Sequence, residues 1–153
     1  MKSQIFFLFL LLILLVSACG TYTITSKSLV RQLEDSQNVE EIFHWTPIGY
    51  TRYPSNKLDK VICQNSKGEY VYLYPDKNTS IKIFSKTSKN QFKAYFDTVI
   101  YKEGKLYGLR SRIIGGLQEI EINDIEKIEF HAELPRTKKV NETELKELKK
   151  YIE

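Results

Sequence analysis

Hydrophobic residues follow three successive patterns along the chain. Ile5–Val16 reads IFFLFLLLILLV, twelve apolar residues without interruption. From Leu58 to about residue 131 the apolar residues come in short, partly alternating runs bounded by Gly, Asn, Asp, Lys and Pro. Beyond Pro135 they recur at helical spacing, with Leu145, Leu148 and Ile152 on one stripe beneath a Lys/Glu face. Short alternating runs between turn residues are the mark of an antiparallel sheet, and a three-to-four spacing that of a helix. The pattern predicts strands at 58–65, 69–74, 80–85, 92–101, 105–114, 117–122 and 126–131, and a helix opened by the capping box Asn141-Glu-Thr-Glu144. Ahead of them, Ser28–Glu34 predicts a short helix with Leu29, Val30 and Leu33 on one side, and Val39–Phe43 a second helical turn. Residues 44–57, with Trp45, Pro47, Tyr50, Tyr53 and Pro54, read as an irregular, partly extended connection.

Turn residues set the expected registers. A two-residue loop at Glu103-Gly104 pairs Tyr101 with Leu106 and Asp97 with Arg110; one at Gly115-Gly116 pairs Arg112 with Glu119 and Arg110 with Glu121. Both put Phe96, Thr98, Ile100, Tyr107, Leu109, Ser111, Ile113, Ile120 and Ile122 on a core face. A loop at Lys67-Gly68 sets Ile62 against Leu73, and a three-residue loop near Asn123-Asp124 sets Ile120 against Ile128. The expected fold is mainly β within the α+β class: an antiparallel meander of about seven strands with a short N-terminal helix and a C-terminal amphipathic helix. By strand count it is similar to pleckstrin-homology-like domains, which implies a strongly bent sheet or partial barrel; an open sheet with helices on one face is the alternative.

The apolar run Ile5–Val16 is shorter than the about 20 residues a membrane-spanning helix needs, and follows Lys2. It has the length and flanks of a signal-peptide core. Val16-Ser17-Ala18-Cys19-Gly20 follows it. This string resembles the lipobox of bacterial lipoproteins, in which small residues precede an essential cysteine. The resemblance implies cleavage before Cys19, diacylglycerol on its sulfur and an acyl chain such as palmitate on the new N-terminus, so that the membrane is the first partner. Gly at position 20, where an Asp marks retention in the inner membrane of enterobacteria, implies the outer membrane, facing the periplasm. The chain is also similar in composition to short Lys-, Asn-, Ile- and Tyr-rich lipoproteins of bacteria such as the Bacteroidota. The expected organisation is a signal peptide at 1–18, a lipidated Cys19 with a polar, Thr-rich tether at 19–27, and one globular domain at 28–153.

Charge and composition narrow the function. The 153 residues carry 23 Lys+Arg and 19 Asp+Glu, and loss of the leader removes one of the cations. So even a balance argues against a dedicated nucleic-acid partner. Two cysteines make neither a disulfide scaffold nor a Cys-rich zinc site, and with Cys19 lipidated, Cys63 in its apolar run reads as a buried thiol. His44 and His131 stand in no metal-ligand spacing, and the chain has no HExxH, Gly-x-Ser-x-Gly, Ser-x-x-Lys or Walker loop. No metal or cofactor is expected.

Two clusters remain as candidate binding faces. The first is Tyr95, Asp97, Arg110, Arg112, Glu119 and Glu121, opposite the core face. Planar Arg donors beside Tyr suit an anion or a carbohydrate; Arg facing carboxylates across strands equally suits a solvated face of cross-strand ion pairs. The second is Tyr70, Tyr72 and Tyr74 on one strand face, with Trp45 and Tyr50 in the preceding segment, either an exposed platform for glycan or protein or a second small core. The expected function is a lipid-anchored envelope protein that binds a partner protein or envelope glycan through a sheet face. A small periplasmic enzyme or ligand carrier with a non-standard site is the alternative.

Overall fold

Alternation of Thr with buried Tyr22 makes Gly20–Ile24 a strand (β1), where the sequence suggested a tether. Thr and Tyr are good strand residues, and their polarity misleads because one strand face is open to water. The computed structural model describes residues 20–36, 39–46, 49–89 and 91–152. Cys19 and the leader lie outside them. After β1 come helix α1 (Ser26–Asp35), β2 (Val39–Thr46), β3 (Gly49–Asn56), β4 (Val61–Gln64), β5 (Tyr70–Tyr74), β6 (Ser80–Ser85) and β7 (Gln91–Tyr95). A 3-10 turn, Phe96–Thr98, leads to β8 (Ile100–Lys102), β9 (Lys105–Ser111) and β10 (Gly115–Glu121). A second 3-10 turn, Ile122–Asp124, precedes β11 (Ile125–Ala132), β12 (Arg136–Lys139), and helices α2 (Glu142–Glu147) and α3 (Lys149–Ile152).

The fold is mainly β and antiparallel, as the hydrophobic pattern implies. The strands form a seven-stranded sheet in the order β12-β5-β4-β1-β11-β6-β7, a three-stranded sheet β10-β9-β8, and the hairpin β2-β3. Only local segments follow a meander, because β1 inserts between β4 and β11 and draws together strands far apart in sequence. The large sheet bends sharply where β4 meets β1 at a single pair, Thr23 with Gln64. Beyond that corner the side chain of Gln32 takes the place of a neighbouring strand. Its Oε1 accepts from the Ile62 amide at 2.8 Å and its Nε2 donates to the Ile62 carbonyl at 3.1 Å. The bend brings Val61, Cys63, Val71 and Leu73 of one limb and Ile81, Ile83, Phe92 and Phe130 of the other into one core, closed by Leu29 and Leu33 of α1. The barrel stays open.

Local signals succeed where short-range chemistry decides. Glu103 and Gly104 both take positive φ, 52° and 79°, and pair Tyr101 with Leu106 as the two-residue turn requires. Asn141 and Glu144 form the reciprocal capping box. Other registers differ. The β9–β10 turn is Arg112–Ile114, so Leu109 faces Leu117 and Glu119 faces Tyr107. The Ser111 hydroxyl accepts from the Ile113 and Ile114 amides and starts the turn early. The buried side of β9 is therefore Leu106 and Gly108, while Ile113 is exposed. The β4–β5 register is one residue away from expectation, with Ile62 opposite Tyr72, because Asn65 closes a longer loop by accepting from the Lys67 and Glu69 amides. Ile120 does not pair with Ile128, since β11 joins β1 and β6 instead of β10. Residues 39–46 and 49–56, expected as a turn of helix and an irregular segment, are strands β2 and β3, which pair as a hairpin. Its open edge tolerates Pro54, and Gly49 at φ 125° opens β3.

Candidate functional site

The first candidate cluster separates into two sites of opposite character. The 3-10 turn after β7 swings Asp97 out of strand register and toward Arg112, at the end of β9. One guanidinium nitrogen, Nη2, lies 2.6 and 2.7 Å from the two Asp97 carboxylate oxygens and donates to the Lys77 carbonyl at 2.5 Å. The guanidinium carbon stands 3.8 Å from the centre of the Tyr95 ring. The Arg112 side chain is only 9 % exposed. The buried hydroxyl of Tyr53, from β3, adjoins the same group. Burial works against the Arg112 charge, but Asp97 and Tyr53 together more than offset it and raise the pKa. Burial likewise raises Tyr53, helped by the Asp97 charge and opposed by Arg112. Tyr95, Asp97 and Arg112 thus form a clamp between the large sheet, the small sheet and the hairpin, with the planar donor already occupied by protein.

Arg110, Glu119 and Glu121 lie elsewhere. Glu119 pairs with Lys105 at 3.2 Å on an exposed surface, and Glu121 sits opposite Lys105 in the ladder. Neither carboxylate opposes Arg110 or Arg112 as the expected register had it. Arg110 instead faces a depression of about 450 Å³ with Lys89, Gln91, Lys93 and Gln118. It forms where β7 packs beside β9: Gly108 has no Cβ, which leaves room for Ala94 and Phe92, and the Lys93 amide donates to Gln118 Oε1 at 2.9 Å. Among the described residues, three cations and two amides line it, with no carboxylate. Lys89, Gln91, Lys93 and Gln118 carry no sequence signal for this role, because they meet only through packing of the two sheets.

The tyrosine face is divided as well. Tyr72 is buried with Ile62 and Val140, and Tyr70, Tyr74, Leu145, Leu148 and Tyr151 pack around them as a second small core. The cover comes from the C-terminal helices rather than from Trp45. Tyr151 donates to Asp35 at 2.5 Å and Lys150 to the same carboxylate at 3.0 Å, tying α3 to α1. Trp45 and Tyr50 face each other across the β2–β3 hairpin, away from the other tyrosines and 64 % and 78 % exposed. Phe43 adjoins them, with the Arg52 guanidinium 5.2 Å from its ring centre.

Cys63 is buried, and burial pushes its thiol up to about 12. It borders a depression of about 380 Å³ that also touches Thr23, Ile24, Tyr70 and Ile152. Among the described residues no group of three or more His, Cys, Asp or Glu side chains is placed to hold a metal ion, and no helix is long and apolar enough to cross a membrane. Comparisons with protein-family models, with curated proteins and with solved structures find no match.

Proposed function

We propose that this chain is a lipid-anchored protein of the bacterial envelope, attached through Cys19 to the outer membrane and facing the periplasm, with a binding role and no catalytic one. The observation that carries the reading is the leader: Lys2, the apolar run Ile5–Val16, and Val16-Ser-Ala-Cys19-Gly20 in unbroken order. A single acyl chain holds a protein only marginally, whereas the two or more of a mature lipoprotein anchor it stably. The binding role is supported by the depression around Arg110. Its cations and amides, free of carboxylates, suit an acidic envelope glycan, where Arg and Lys meet carboxylate or phosphate groups and amides meet hydroxyls. The Arg112 clamp is spent on Asp97 and Lys77 and is assigned to stability.

Two measurements test this. Cells fed an alkyne-tagged fatty acid should label the wild-type protein and not Cys19→Ala, whose leader should stay uncleaved. Equal labelling of both proteins removes the lipoprotein reading. Retention on an immobilised acidic polysaccharide should fall about thirtyfold in the Lys93→Glu/Arg110→Glu variant, since each reversed charge costs about 1 kcal/mol and the two together about 2 kcal/mol. Retention equal to wild type dismisses the Arg110 depression as the glycan site.

A further inference from the structure

Exposed apolar side chains gather at the end of the domain where the chain enters at Gly20. Ladder pairs align Thr21 of β1 with His131 of β11, His131 with Ser80 of β6, and Ser80 with Tyr95 of β7. These residues form one row across four strands, spanning about 14 Å at the usual strand spacing. Arg112 stacks on Tyr95 at the far side of that row, so the Arg112–Ile114 turn overhangs the same edge as Gly20. Ile114 in that turn is 90 % exposed, and Ile113 is exposed beside it. At the near side, a Cβ on Gly20 would meet Pro135 at 3.0 Å, which places the exposed Leu134 against the entry point.

The β2–β3 hairpin points the same way. Asn56, at its base, is bonded to the Val99 carbonyl and the Tyr101 amide, while Tyr53 reaches the Asp97–Arg112 clamp. The hairpin therefore runs along the small sheet toward the Arg112–Ile114 turn, and its Phe43, Trp45 and Tyr50 end continues past it. Val39 and Glu41 lie nearer the base. Six exposed apolar or aromatic residues, on three segments distant in sequence, thus flank the one point where Cys19 is bonded to the domain. Since β1 begins at Gly20, no spacer separates that point from the sheet.

From this placement we infer that the domain sits directly on the bilayer, with Phe43, Trp45, Tyr50, Ile113, Ile114 and Leu134 entering the interfacial layer around the lipidated Cys19. Tryptophan and tyrosine favour that layer because an apolar ring and a polar edge are both satisfied there. Arg52, stacked on Phe43, is placed to meet lipid phosphate as the ring enters. The Arg110 depression, toward the other end of β7, stays open to the periplasm. This inference rests on the lipid-anchor reading for its orientation.

Trp45 is the single tryptophan of the chain and reports directly on the contact. The mature lipidated protein is reconstituted into phosphatidylcholine vesicles with brominated acyl chains, and the N-terminal peptide is weighed in the same sample. The expected result is a blue-shifted Trp45 emission, quenched by bromolipid, shielded from aqueous acrylamide and insensitive to added salt. In Ile113→Asp/Ile114→Asp, whose altered side chains are solvent-exposed, bromolipid quenching should fall and acrylamide quenching rise, with an unchanged far-ultraviolet spectrum. Acylated Cys19 beside a Trp45 that acrylamide reaches freely and bromolipid does not quench overturns the docking and leaves the anchor standing. An N-terminal peptide without acyl mass overturns the anchor, and Trp45 quenching on added vesicles then decides the docking alone. Undiminished quenching in the double variant removes the Ile113–Ile114 turn from the contact.

Discussion

Arg112 and Cys63 show how burial redirects reactive residue types. Arg112 looks on the sequence like a ligand donor, yet in the fold its Nη2 reaches Asp97 and the Lys77 carbonyl. Truncating one partner of a buried pair leaves the other charge uncompensated, at about 3–5 kcal/mol. Asp97 keeps partial access to water, so Arg112→Ala is expected to cost about 3 kcal/mol, measured as a drop in the urea midpoint at neutral pH. Cys63 has the opposite history, an apolar position that burial makes inert. Its thiol should resist alkylation in the folded protein at pH 8 and react at the ordinary rate in urea. The raised thiol also makes stability pH-dependent. Unfolded Cys63 releases its proton near 9.0 and the folded one near 12, so the folded state holds the proton more tightly. Its contribution is complete below about pH 9 and declines as pH rises toward 12. Tyr22, Tyr53 and Tyr72, all raised chiefly by burial, add in the same direction. The urea midpoint should therefore hold steady from neutral pH to about 9 and fall above it, less steeply in Cys63→Val.

Between elements, two single residues govern how the pieces meet. At Gly108 a Cβ would stand 2.6 Å from the Ala94 Cβ and 3.0 Å from Phe92, closer than side chains pack. Gly108→Ala should cost about 1–3 kcal/mol by forcing β9 away from β7, seen as a lower thermal midpoint. The same change would deform the Arg110 depression, so glycan retention is expected to fall with it. Gln32 is the second. Its amide satisfies both backbone groups of Ile62 where β4 parts from β1, and Gln32→Leu would leave a buried N–H and C=O without partners. The expected loss is about 2–4 kcal/mol by chemical denaturation, with amide exchange accelerated most at Ile62. Neither role shows in the sequence. A glycine in a strand and a glutamine in a helix are ordinary until the opposing surface is known.

For the whole molecule, the decisive event is the insertion of residues 20–24 into the middle of the sheet. Deleting them would strip β11 of one neighbour and expose Phe130 and Ile128, so a chain starting at Ser26 should lack a cooperative thermal transition. The consequence reaches function. Under the proposed lipid anchor, a tether would let the domain swing freely, whereas a strand starting at Gly20 would fix which end faces that anchor. Inserting a Gly/Ser linker between Cys19 and Gly20 should keep acylation while loosening the Trp45 contact, read as weaker bromolipid quenching.

The sequence by itself determined the mainly β class, the α1 segment, the capped start of the C-terminal helical segment (which the structure divides at Leu148 into α2 and α3), the Glu103-Gly104 turn and the buried setting of Cys63. Each depends on neighbours within a few residues, where periodicity, caps and positive φ act. It also carries the leader and Cys19 motif on which the proposed location rests. Tertiary structure alone decided the strand order, the bend at Thr23, the pairing of Arg112 with Asp97, the company of Arg110 and the covering of Tyr72. Those depend on contacts between segments as far as 112 residues apart (132 − 20), such as Gly20 with Ala132, whose energies no local pattern encodes. The hairpin expected at Gly115-Gly116, which closes instead at Arg112–Ile114, marks the boundary between the two. Its glycines permit a hairpin, but the Ser111 hydroxyl and the fit of Leu106 and Gly108 against β7 chose which register to close.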